Sequence, residues 1–283
     1  MAFGICPLSA VAVRSSAYDT SEMVSQLLFG ELVEILETKS RHWLKIRNVE
    51  DQCVGWVSAL QIKPITPSEM EHYRDHYALV LDYVHAAMAP DHFIPILLGS
   101  RLPSFDGLRF TMGELNYQYS GQAVFPRDLQ PSADLLLKIA RRYLNAPYLL
   151  GGRSPMGIDA AALVQIVFRF AGIMLPREAE LMVPFGDTVD FVEQCQPCDL
   201  AFFENRQGRI EHVGIVLPDK QVMHAYGRVR IDSLDHFGVY VQEYSKYTHK
   251  LRVVKRLLKT TPNVTPLAEQ EQNTVYANQF ELF

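Results

Sequence analysis

Hydrophobic and polar positions change rhythm twice along the chain. Between residues 8 and 65, short apolar runs of β type alternate with turns, at 11–14, 25–28, 31–36, 43–47 and 54–57. Runs this short and this closely spaced predict a small β-barrel. The polar stretch 66–75 then reads as a link or a short helix. Beyond it, runs at 78–88, 93–105 and 109–126, broken by Pro and Gly, predict further strands.

From residue 129 the period becomes helical. Behind Ser132 as N-cap, Leu135, Leu136, Ile139, Ala140, Tyr143 and Leu144 recur at helical spacing. A second helix is predicted over roughly 160–171. The turn formers Gly151, Gly152 and Ser154 to Gly157 precede it, Asp159 supplies its N-cap, and Gly172 can end it. Leu163, Val164, Ile166, Val167, Phe168 and Phe170 leave almost no polar stripe, so this helix belongs in the core. Apolar runs at 200–203, 213–217, 222–226, 229–231, 239–241 and 251–254 then read as strands. Helices followed by a run of strands argue for an α+β domain with helices packed on an antiparallel sheet. The tail from 260 to 283 is polar and contains proline, and is expected to be mobile.

Composition narrows the function classes. The chain has 283 residues, 48% of them hydrophobic and 21% charged, which is room for two or three small domains with a sizeable core. A net charge of -5 gives no electrostatic case for nucleic acid or an anionic membrane as partner. Residues 1–16 lack a basic start and a continuous apolar stretch, so a cytoplasmic location is the simplest expectation. An export signal missing from this sequence would instead make it periplasmic or secreted. Cys6, Cys53, Cys195 and Cys198 are too few and too scattered for a disulfide framework. Cys195-x-x-Cys198 has no second cysteine pair and no matched histidine pair nearby, so neither a metal nor a cofactor is expected.

Candidate chemistry centres on the start of the second helix. The free N–H groups and dipole of a buried helix N-terminus stabilise a thiolate, yet this chain places Ala160-Ala161-Ala162 there. The segments Pro147 to Gly152, Gly157 to Gln165 and Gly172 to Arg177 resemble the NlpC-type cell-wall cysteine peptidases. Their pattern is Tyr-x-Trp-Gly-Gly, then Asp-Cys-Ser-Gly-x-x-Gln, then Gly-x-x-Leu-Pro-Arg. The resemblance implies a papain-like domain whose nucleophile position is Ala160. Glu211 to Leu217 with Val222 to Ala225 is similar to the family's histidine strand and its downstream His-Ala. It implies His212 as general base and His224 as the group that orients it. If 218–220 form a three-residue loop, Leu217 pairs with Gln221 and both histidines share a face; a two-residue loop would separate them.

Domain expectations follow from the same resemblance. Leu27 to Glu31 and Gly55-Trp56-Val57 resemble the bacterial SH3-like domains that precede such peptidases. The expected order is an SH3-like barrel over 1–65, a second and more divergent SH3-like unit over 76–128, the NlpC-type domain over 129–259, and the tail. A β extension of the peptidase domain is the alternative for the second unit. By resemblance, Glu31 and Asp159 would hold the free amine of a cell-wall peptide by charge-assisted hydrogen bonds, Cys53 occupies a recognition tyrosine's place, and Tyr148 and Ala161 line the cleft. Glu31 could equally be a solvated surface residue and Asp159 only a cap.

Departures from the pattern limit the chemistry. A methyl group cannot attack a carbonyl or give up a proton. Ala161 and Ala162 also replace Ser and Gly, Leu150 replaces Trp, and Cys198 replaces a Gly. A degenerate site that binds a short murein peptide or a protein partner without cutting is therefore expected. An active peptidase with its cysteine replaced, or an SH3-like scaffold with a vestigial cleft, are the alternatives.

Overall fold

The computed structural model describes residues 2–258; the tail expected to be mobile lies outside them. The first unit is a single sheet of β1 (Ala2–Ile5), β2 (Ala10–Arg14), β3 (Met23–Leu28), β4 (Leu32–Lys39), β5 (Trp43–Asn48), β6 (Val54–Ser58) and β7 (Lys63–Ile65). Their order is β3-β2-β6-β5-β4-β1-β7. Alternation decides which side is buried: Leu44 and Ile46 of β5 point inward with Val11, Val13, Leu27, Val33 and Val57. Strand β1, between β4 and β7, and the edge strand β7 fall outside the predicted runs. Each is too short to show a period of its own and is held by pairing, β1 with β4 and β7, and β7 with β1.

The polar stretch after β7 is a helix, α1 (Pro67–Asp75). Thr66 and Glu69 form a reciprocal capping box and proline opens the first turn, which offsets the helix's weak apolar face. The second unit then uses β8 (Tyr77–Val80), β9 (Val84–Met88), β10 (Phe93–Leu97), β11 (Arg101–Pro103), β12 (Arg109–Met112), β13 (Leu115–Gln118) and β14 (Ala123–Val124). They pair as a four-stranded sheet, β10-β9-β13-β12, and a three-stranded one, β11-β8-β14. Phe29 of the first unit enters their core, edge-on to Phe110 at 5.5 Å. The two β units therefore share buried surface.

The third unit holds α2 (Ala133–Arg141), β15 (Arg153–Ser154), β16 (Gly157–Ile158), α3 (Ala160–Arg169), α4 (Ala179–Met182) and β17 (Asp187–Val189). It continues with β18 (Leu200–Glu204), β19 (Ile210–Leu217), β20 (Gln221–Tyr226), β21 (Arg228–Leu234), β22 (Gly238–Val241) and β23 (Lys246–Arg256). Ser132 caps α2 by accepting from the Leu135 N–H. The large sheet is antiparallel in the order β17-β23-β18-β19-β20-β21-β22, and β22 also pairs with β23. Six strands thus close on themselves, so the helices pack on the outside of a ring rather than on an open sheet.

The ring has two apolar faces. Leu200, Phe202, Val213, Ile215 and Leu217 face outward against Leu163, Val164 and Val167 of α3. Ala201, Phe203, Val216, Val222, Leu234 and Val239 fill the inside. Fully burying each large side chain contributes about 1.5–3 kcal/mol. Strand alternation then carries His212, His224 and Asp232 to the inner face, in line with Val216, Val222 and Leu234.

Candidate active site

One wall of the site is the start of α3. The helix runs from Ala160 to Arg169, and the Asp159 carboxylate accepts from the Ala162 N–H at 2.9 Å, as an N-cap does. Its second oxygen accepts from the Gly151 N–H at 3.0 Å. Gly151 has a φ of +77°, and a Cβ there would meet the Met23 carbonyl oxygen at 2.2 Å. Glycine is thus what lets this loop lie against β3 of the first barrel. The contact shapes a cleft of about 740 Å³ lined by Ala160, Ala161, Asp159, Tyr148, Cys53 and His212. All but two of the residues singled out from sequence meet there.

The opposite wall is the ring. Leu217 pairs with Gln221 around a three-residue loop in which Asp219 and Lys220 are both left-handed. That register places the two histidines on one face. His212 Nε2 lies 2.9 Å from His224 Nδ1, and His224 Nε2 lies 3.0 Å from an Asp232 oxygen. Arg230 donates to both oxygens of Asp232, at 2.6 and 3.0 Å. An ionised Asp232 accepts only, so His224 donates through Nε2 and accepts at Nδ1 from His212. This leaves His212 Nδ1 as the unprotonated nitrogen. His224 itself is one layer back from the cleft and acts through His212.

Electrostatics agree with that assignment. Burial first, then His249 and His224, push the His212 imidazole well below the usual histidine range. Burial alone would raise the Asp232 carboxyl, but hydrogen bonds from His224 and Arg230 hold it below the usual carboxylate range. A neutral imidazole backed by an ionised carboxylate is a competent proton acceptor. What it faces across the cleft is a methyl group.

Recognition by Glu31 is corrected. Glu31 is fully buried and does not line the cleft, so it neither contacts solvent nor is free for an amine. Arg153 and Arg169 pair with it at 2.7 and 2.5 Å, and Asn48 and the Leu28 N–H donate to it at 3.2 Å. Burial would raise its carboxyl, yet the two guanidinium groups override this and hold it at about 2. Arg169 also lies 2.6 Å from Glu50, which pairs with Arg101 at 2.6 Å. The five charges tie α3, both β units and the β15 loop together. Asp159 does line the cleft, but Arg177 grips both of its oxygens. The pair of amine-binding carboxylates expected from sequence is therefore already occupied by arginines.

Asp232, His249 and Arg177 carry roles that sequence reading did not assign. Continuing the hairpin past Tyr226 opposite Arg228 would have put Asp232 on the histidines' face. Arg177 ends the Gly-x-x-Leu-Pro-Arg segment. His249 had no local signal; β23 brings it to the cluster by closing on β22. Burial raises the thiols of Cys53 and Cys195 to about 11 and those of Cys6 and Cys198 to about 12, the inert state.

Residues 145–252 match the NlpC/P60 family, and residues 13–62 match the bacterial dipeptidyl-peptidase SH3 domain. A γ-D-glutamyl-L-lysine dipeptidyl-peptidase of Bacillus cereus is 32% identical over 120 residues, 41% of this chain and 35% of that protein. The match thus spans about a third of that relative. Dipeptidyl-peptidase 6 of Lysinibacillus sphaericus is 24% identical over 76% of this chain and 85% of its own length. Among solved structures, an NlpC/P60 family protein from Bacillus cereus superimposes with a TM-score of 0.77 at 19% identity, covering 91% of this chain and 100% of that one. The chain thus joins a bacterial SH3 domain to a domain that belongs to the NlpC/P60 family.

Proposed function

We infer that this protein binds a short cell-wall peptide in the cleft between its first barrel and α3, and does not cleave it. The observation that carries this reading is Ala160 at the first position of α3, lining the same cleft as His212. The helix-on-sheet arrangement supports a papain-like layout, in which a thiol at Ala160 would be the group His212 deprotonates. With a methyl there, no acyl-enzyme forms.

What the cleft retains is a means of binding. Glu22, Asp51, Glu178, Glu180 and Glu211 line it, and Arg177, the one arginine among its described lining residues, is taken up by Asp159. Net negative charge in a concave site raises the local concentration of cationic ligands. Asp159 caps the Ala162 N–H, but those of Ala160 and Ala161 in the same first turn have no intrahelical partner and can take a carboxylate or carbonyl oxygen. A peptide with an ammonium group and acyl oxygens fits both features. The name of the Bacillus cereus relative, a γ-D-glutamyl-L-lysine dipeptidyl-peptidase, supports a γ-D-glutamyl peptide ending in a diamino acid.

Titration calorimetry with L-Ala-γ-D-Glu-L-Lys, alongside a hydrolysis assay, tests the reading. Binding without turnover is the expected result, and turnover that disappears in His212→Ala would overturn it. Ala160→Cys adds a second arm. Turnover in that variant means that only the nucleophile separates this chain from a working peptidase. Absence of both binding and turnover supports the scaffold alternative instead.

A further inference from the structure

Among the described residues, three histidines meet at the base side of the cleft: His212 on β19, His224 on β20 and His249 on β23. Each offers one ring nitrogen, and these atoms all lie within 4.8 Å of one another. His212 and His249 stack with ring centroids 4.0 Å apart, and His224 stands edge-on to both, at 5.1 and 5.3 Å. Proton transfer needs His212, and its orientation needs His224 and Asp232. It has no use for the third imidazole.

We propose that His212, His224 and His249 form a site for one divalent transition-metal ion of the zinc type. Three imidazoles with no carboxylate among the donors suit zinc and its neighbours rather than magnesium or calcium, which take oxygen ligands. A zinc–nitrogen distance of about 2.0–2.1 Å in tetrahedral geometry sets ligand nitrogens roughly 3.3 Å apart. His212 Nε2 and His224 Nδ1 stand 2.9 Å apart but point at each other along a hydrogen bond, so loading replaces that bond and turns both rings, with that of His249, toward one point. His249 Nδ1 lies 2.8 Å from the Thr248 hydroxyl, which leaves Nε2 as the ligand.

The surroundings match a metal site beyond the ligands. His224 turns its other nitrogen to Asp232, the carboxylate–histidine arrangement that fixes a ligand's tautomer, and Arg230 fixes Asp232 in turn. His249 lines a second cleft with Phe237, Tyr247, Thr248 and Lys250, which provides a route for the ion from solvent. Loading moves the His212 proton from Nε2 to Nδ1 and removes none from the three rings. Three protein ligands leave the fourth position for water.

The test uses the full chain, incubated with zinc sulfate, desalted and analysed for bound metal. About one zinc per chain is expected, and cobalt(II) in its place should give the visible bands of a four-coordinate ion. His249→Ala should lose the ion, while Asp232→Asn should weaken binding roughly 10–100-fold. A double variant, Cys195→Ser with Cys198→Ser, should keep the full complement. Zinc that stays with His249→Ala, or leaves with the two cysteines, overturns the proposal. Should a histidine variant fail to fold, ring-nitrogen NMR of the unaltered chain decides. Zinc must shift His212, His224 and His249 and leave the other histidines in place, and unmoved resonances at these three refute the site.

Discussion

The two walls of the cleft carry their chemistry in different ways. On the ring side, His212, His224, Asp232 and Arg230 form one connected buried set, in which each member satisfies the next. On the helix side, position 160 needs only a small residue at a capped helix start, and alanine fills it with no polar group left over. Removing one member of the ring set would orphan buried polar atoms at a cost of about 1–3 kcal/mol each. Exchanging a thiol for a methyl at Ala160 leaves no such debt. A group that serves chemistry alone is lost without harm to the fold, whereas a group that is also part of the packing is held in place by it.

Variants test that contrast from its strongest element downward. Glu31 anchors α3 from behind, and Glu31→Ala would leave Arg153 and Arg169 buried without their shared partner. A loss of about 3–5 kcal/mol in unfolding free energy is expected, read by urea denaturation. If the loss is under about 1 kcal/mol, the five-charge network does not hold the units together.

The same carboxylate predicts an acid limit. Its pKa is about 2 in the folded chain against an ordinary 4.5, so its contribution is complete above pH 4.5 and disappears as pH falls through 2. Unfolding followed from pH 5 to pH 2 should show the decline in the unaltered chain and a shallower one in Glu31→Gln. Parallel profiles would mean another group sets the limit.

Asp232→Ala comes next, at about 2–3 kcal/mol, because His224 and Arg230 both lose a charged acceptor. Differential scanning calorimetry would register it as a lower Tm. An unchanged Tm would show that the histidine relay is not integral to the ring. Smallest of all should be Ala160→Cys, within about 0.5 kcal/mol of the unaltered chain. A large destabilisation there would break the contrast, since it would show that the methyl is required by the packing.

Sequence and structure agree best where local rules govern. The N-cap roles of Ser132 and Asp159, and the approximate span of α3, follow from capping and period within a few residues. The three-residue loop at 218–220 set the shared face of His212 and His224, because a hairpin's register is a local matter. Glu31 was legible only as a motif residue. Whether it met solvent, an ammonium or an arginine depended on Arg153 and Arg169, more than a hundred residues away in sequence.

The amino-acid order alone determined the types of the longer elements, the family resemblance and the absence of a sulfur at the head of α3, since each is written in neighbouring residues. Tertiary structure decided the closure of β22 on β23, the arrival of His249 beside His212, and the neutralisation of Glu31 and Asp159 by arginines. Those outcomes join segments remote along the chain through packing and charge pairing, and no local pattern encodes which distant partner arrives.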